Sequence, residues 1–130
     1  MKAYLLDVEN RVHKAVEIDD SDRLNEYYRL LNCSRIDITS RNVGGIEYDI
    51  IADDEGMLKE NPIVSALDPE GQPALVGNLL FCKYDGEGGE TSLSDDDIAH
   101  LESLVRLAVK KDLEGNELDI LIVMSEVDYV

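Results

Sequence analysis

The chain has no tryptophan, one phenylalanine, two cysteines and two histidines among its 130 residues. Each shortage excludes something. Aromatic residues make up only 5% of the chain, so a core must be built mainly from leucine, isoleucine and valine. Cys33 and Cys82 stand far apart, with no C-x-x-C motif and no histidine at ligand spacing, which leaves no zinc pattern. A disulfide between them is possible but not needed for folding. His13 and His100 are too few and too scattered for a metal centre. No stretch approaches the ~20 apolar residues of a membrane span. The opening MKAYLLDVEN has too short an apolar run for a signal peptide and no small-residue cleavage site. A cytoplasmic protein is expected.

Positive charge is the most telling shortage. Twelve Lys and Arg face 29 Asp and Glu, for a formal net charge of −17. Such a field repels phosphate backbones and anionic lipid, which argues against direct nucleic-acid and membrane-surface binding. It attracts basic protein surfaces and divalent cations. It also keeps a protein soluble with no further role.

What remains is an ordinary globular chain. Hydrophobic residues reach 44%, and a chain of this length buries roughly two-thirds of the surface it exposes when unfolded. One domain over residues 1–130 is expected. Two strand-like runs, Lys2 to Val8 and Arg11 to Ile18, are joined tightly by Glu9-Asn10 and predict a hairpin. Asp19 to Asn32 predicts a helix with Leu24, Tyr28 and Leu31 on one face, broadened by Tyr27 and Leu30. Ile36 and Ile38, then Ile46, Tyr48 and Ile50, alternate with polar residues around Gly44-Gly45, the clearest hairpin signal in the chain. Asp68-Pro69-Glu70-Gly71 predicts a β-turn. The run ALVGNLLFCKYD predicts one strand with a bulge or a close backbone approach at Gly77-Asn78, and Cys82 as a buried thiol. Ser94 to Lys111 predicts a helix, opened by a capping-box pattern at Ser94 and Asp97 and closed by Lys110 and Lys111. Leu118 to Val123 predicts a buried strand, and SEVDYV a short exposed tail.

Chemistry is scarce in this pattern. The Asp95-Asp96-Asp97 run suits the first turn of a helix better than a cation. The loop from Asp85 has Gly89 and Glu90 where a calcium loop needs an oxygen ligand and a glycine. No phosphate-binding glycine motif and no nucleophile elbow is present. With 29 acids, chance carboxylate pairs are expected, so no catalytic residue, metal or cofactor is nominated. The segment DDEGMLKENP, residues 53–62, is the one polar cluster between two apolar runs. It reads as a compact connection, and also as a surface offered to a ligand or partner through Asp53, Asp54, Glu55, Lys59, Asn61 and, from the next strand, Asn78.

The run IDITSRNVGGIEYDIIADDEGMLKENPIVSALDPEGQPALVGNLL resembles an uncharacterised family, domain of unknown function 3846. The likeness rests on the Ile-Asp-Ile strand, Gly44-Gly45, Tyr48-Asp49-Ile50, Asp53 to Gly56, Asn61-Pro62 and Leu75 to Asn78. It begins at the first strand and weakens after Tyr84. It implies a setting among phages, plasmids and conjugative elements. The family has no established activity, so it supplies no catalytic residues.

Two functions follow as expectations. The first is a non-enzymatic acidic binding module of a mobile element, acting on a host or element protein with a basic surface, in the manner of DNA mimicry or anti-defence. The second is a small ligand-binding protein or enzyme with a pocket near Asp53–Gly56 and Gly77–Asn78. The expected fold is α+β, a mainly antiparallel sheet of about five to seven strands with two helices packed on one face.

Overall fold

The computed structural model describes all residues, 1–130. β1 (Lys2–Asp7) and β2 (Val12–Glu17) form the first hairpin, with Asp7 opposite Val12. α1 (Arg23–Leu31) follows a single 3-10 turn at Asp20–Asp22. Asp19 starts that turn by accepting from the Ser21 N–H at 3.0 Å. Asn32 ends the helix in the left-handed region, φ 52°. Tyr27 and Leu31 are its buried residues, while Leu24 is half exposed. Of the expected Leu24–Tyr28–Leu31 line only Leu31 is buried, and Tyr27 takes the buried place expected for Tyr28.

β3 (Ile36–Val43) and β4 (Ile46–Asp53) turn at Gly44 and Gly45, with φ 58° and 91°. Paired positive φ is the signature of a tight hairpin turn, and glycine adopts it at no steric cost. β5 (Val64–Leu67) and β6 (Pro73–Val76) are joined by the expected turn. There the Asp68 carboxylate accepts from the N–H of Glu70 and of Gln72. β7 (Leu79–Tyr84) and the short β8 (Glu90–Thr91) follow. α2 (Asp95–Leu104) opens with a full capping box between Ser94 and Asp97. β9 (Val105–Lys111), β10 (Glu117–Met124) and β11 (Val127–Tyr129) complete the chain.

The strands form two sheets. The larger has seven strands, ordered β11-β3-β4-β7-β1-β2 with β8 on the end of β7. All its pairings are antiparallel. The smaller is ordered β6-β5-β10-β9, and its β5–β10 pairing is parallel. The α+β class and the mainly antiparallel sheet agree with the expectation. The second sheet is an addition to it.

Further sequence expectations are corrected. First, the two helices lie on opposite faces of the large sheet. Ala3, Leu5, Ile51, Leu80 and Cys82 pack with Tyr27 and Leu31 of α1. Tyr4, Leu6, Ile50, Leu79 and Phe81 pack with Leu101 of α2 and with the small sheet. Successive residues of a strand point to opposite faces, so apolar runs such as AYLL and LLFC need a cover on both sides.

Second, the chain does not run straight through Gly77-Asn78. It leaves the small sheet after β6 and enters the large one at β7. Gly77 makes this possible with φ 77°, and its N–H bonds the Ile63 carbonyl at 2.8 Å.

Third, the second helix stops at Leu104, and Val105 to Lys111 is a strand. The spacing of Val105 and Ala108 suits either state, and pairing along β10 from Val105↔Met124 to Lys111↔Glu117 decides it. The tail is not loose either. β11 pairs with β3, and Val127 is fully buried.

Candidate functional site

Asp53 is the last residue of β4, and its side chain is only 7% exposed. One carboxylate oxygen accepts from the Glu55 N–H at 2.9 Å. The other forms an ion pair with Lys59 Nζ at 2.8 Å. Lys59 also donates to the Asn32 carbonyl at 3.2 Å, which pins the segment to the C-terminal end of α1. The neighbouring Asp53 carboxylate raises the Lys59 pKa above its ordinary value, against a smaller opposing effect of burial. Between the two partners, Gly56–Leu58 makes one 3-10 turn. Asn61 then reverses the chain with φ 54°.

Asn78 sits across from this segment and is buried. Its side-chain oxygen accepts from the N–H of Val8 at 2.9 Å and of Glu9 at 3.3 Å, so it organises the end of the first hairpin. A cleft of about 270 Å³ opens here, lined by Glu9, Leu31, Asp53, Lys59, Asn61 and Asn78. Four of the six residues singled out in the sequence are thus brought together. Asp54 and Glu55 are not among them. Both face Arg35, at 3.6 Å each. Asp54 lines an adjoining, more apolar hollow of about 460 Å³ together with Met57, Val64 and Leu75, and Asp53 stands between the two.

The cleft is poor in free chemistry. Asp53 is neutralised by Lys59, and the Asn78 oxygen already serves two backbone donors.

A second cluster was invisible in the sequence. Tyr48 of β4 stacks on His100 of α2, with ring centroids 6.1 Å apart and planes 18° from parallel. Lys83 Nζ lies 4.4 Å over the same tyrosine ring and 3.4 Å from Asp97. The Tyr48 hydroxyl donates to Asp97 at 3.4 Å. His100 Nε2 is 2.9 Å from the Val43 carbonyl. Burial raises the Tyr48 pKa, and the Asp97 charge adds to it. Burial alone would raise Asp97 too. The Ser94 N–H and hydroxyl, with Lys83, outweigh that and hold it below the usual carboxylate value.

A tyrosine, a histidine, a lysine and an aspartate in mutual contact resemble an acid–base centre. Tyr48 is only 1% exposed, however, and no cavity reaches it. The cluster clamps α2 to the β3–β4 hairpin. Elsewhere, Cys82 is buried and its thiol is pushed up to about 12 by that burial, so it is inert. Cys33 and Cys82 are both free thiols. No three His, Cys, Asp or Glu side chains converge as a metal site would require. No helix is long and apolar enough to cross a membrane.

The fold and its polar clusters define a small, strongly acidic α+β protein in which charged groups chiefly cap, pair and brace. It belongs to the family described as Domain of unknown function (DUF3846), whose model matches residues 1–106. The match extends past Tyr84 and takes in α2, further than the resemblance had indicated. β10, β11 and most of β9 lie beyond it. None of the curated proteins and none of the solved structures matches the chain.

Proposed function

We propose that this protein is a non-enzymatic binding module of a mobile genetic element, working in the cytoplasm of a bacterial host. Its acidic surface docks on the basic surface of a host or element protein, in place of nucleic acid. The mobile-element setting rests on the family likeness.

One observation carries the docking reading. The fold gathers acids from distant segments around one end of the large sheet. Glu17 and Asp20 lie 3.9 and 3.5 Å from the Met1 amino group, and Asp95 lies 3.0 Å from Lys2 Nζ. Arg23 bridges Asp20 to the Glu90 carbonyl. The side chains of Glu17, Asp20 and Asp95 are 75%, 63% and 92% exposed. Asp19, Asp22 and Asp96 are exposed beside them. Duplex DNA presents about one charge per 1.7 Å of axis, and an array of exposed carboxylates offers a comparable field to a basic cleft.

The test is capture from host lysate by the immobilised chain, with elution along a salt gradient. A basic protein should elute as salt rises and should be lost from the triple variant Glu17→Gln, Asp20→Asn, Asp95→Asn. Retention indifferent to both salt and variant would overturn the reading.

The cleft between Asp53, Lys59, Asn61 and Asn78 favours a second reading, a site for a small polar ligand. A thermal-shift screen of small polar compounds tests it. A ligand whose stabilising effect disappears in Asn61→Ala would support it.

A further inference from the structure

β9 is an edge strand of the four-stranded sheet, and no strand of the chain pairs with its outer side. The face it shares with β10 runs outward from the buried Ile122 and Met124. Beyond them on that face stand Leu107, Val109 and Ile120, which are 75%, 47% and 51% exposed. Leu118, at the irregularity in β10, and Leu113, between the two strands, add further exposed apolar side chains. Single exposed apolar residues mean little. A row of them along an open strand edge marks a contact surface.

Charge indicates what covers it. Between Val105 and Met124 three cations, Arg106, Lys110 and Lys111, stand against four acids, Asp112, Glu114, Glu117 and Asp119. The rest of the chain sets nine cations against 25 acids. The hairpin is thus the nearly neutral part of a chain of charge −17. A basic partner is drawn elsewhere. A second copy, repelled by the remaining surface, meets little repulsion here.

The strand is also complementary to itself. Arg106, Lys110 and Lys111 take part in no ion pair within the chain, whereas seven of the other nine cations do, Lys14 and Arg41 being the exceptions. Antiparallel pairing of two β9 strands about a two-fold axis at Val109 sets each Arg106 opposite the other copy's Asp112. Within β9 it sets Leu107 opposite Lys111 and keeps Leu107 and Val109 of both copies on one face. An axis at Ala108 would instead oppose Arg106 to Lys110, and one at Lys110 would oppose lysine to lysine.

We propose that β9 is a self-association edge. Two copies pair through it and join their small sheets into one, with the apolar row of each hairpin continuing into the other. This does not depend on docking to a basic partner, and it responds to salt in the opposite sense.

Sedimentation equilibrium of the full chain tests it. A dimer should form, and it should tighten as the Debye length falls from ~10 Å at 0.1 M salt to ~3 Å at 1 M. Leu107→Lys should weaken the dimer by at least about tenfold and leave the melting temperature of the dilute monomer unchanged. Leu24→Lys, at an exposed apolar position of α1 on the other face of the large sheet from the small sheet, should not. Val109→Cys should cross-link copy to copy under mild oxidation, because the axis passes through it. A monomer at every salt concentration, or a dimer untouched by Leu107→Lys, would overturn the proposal. Loss of basic-partner capture with the dimer intact would sink only the docking reading.

Discussion

Gly44 and His100 meet where α2 crosses the β3–β4 turn. A Cβ on Gly44 would lie 3.0 Å from His100 Nε2 and 2.6 Å from Leu104 Cδ1, and the glycine has φ 58°. Two independent demands, a left-handed backbone and an absent side chain, fall on one residue. Gly45 has φ 91° but open space around its Cβ position. Gly44→Ala should therefore cost more than Gly45→Ala. The backbone effect alone is about 1 kcal/mol for either, and displacement of α2 adds about 1–3 kcal/mol at Gly44. Urea midpoints of the two variants decide the matter, and equal midpoints would refute the close approach.

The Asp53–Lys59 pair predicts an asymmetry. Lys59→Met leaves a nearly buried carboxylate without its cation and should cost about 1–3 kcal/mol. Asp53→Asn keeps the bond to the Glu55 N–H, leaves only a half-exposed ammonium unpaired, and should cost less. Chemical denaturation of both variants reads the difference. The folded-state Lys59 pKa is raised, so its contribution is full below the unfolded value of 10.5 and fades as pH rises through the folded one.

Asp97 predicts acid sensitivity of the opposite sign. Its pKa is lowered from 3.8 in the folded state. The stability it contributes is present above that unfolded value and is lost as pH falls through the folded one. Asp97→Asn should destabilise the protein at neutral pH by about 0.5–2 kcal/mol, the scale of a helix cap. The gap from wild type should then close in strong acid. A gap that stays constant down to pH 2 would show that the carboxylate's charge plays no part.

Val127 tests the final strand. It is fully buried and pairs with Val43. Val127→Asp should destabilise the fold by about 3 kcal/mol or more, since it sinks an unpaired charge into the core. Asp128→Ala, in the same strand but exposed, should fall within about 0.5 kcal/mol of wild type. Thermal melts compare the two, and matching melts would mean that the tail is not part of the core.

Local features could be read directly from the residues because the interactions that make them span few positions. Gly44-Gly45, Asp68 to Gly71, Asn32 as a helix stop and the Ser94–Asp97 box each close within about one turn of chain. The polar segment around Asp53 was legible as a cluster for the same reason. Its division was not. Lys59 and Asn78 face the cleft with Asp53, whereas Asp54 and Glu55 turn to Arg35.

By itself, then, the sequence determined the acidity, the α+β class, the turns, the end of α1 and the beginning of α2. Tertiary structure alone decided where α2 ends, which sheet each side of Gly77-Asn78 joins, and that the helices take opposite faces. It alone assembled Tyr48, Lys83, Asp97 and His100. The reason is range. Val105 and its neighbours become a strand because β10 lies beside them, and Tyr48 meets His100 only when the chain between them has folded back. A local pattern with two acceptable conformations is settled by whichever one buries more surface and leaves fewer backbone groups unpaired.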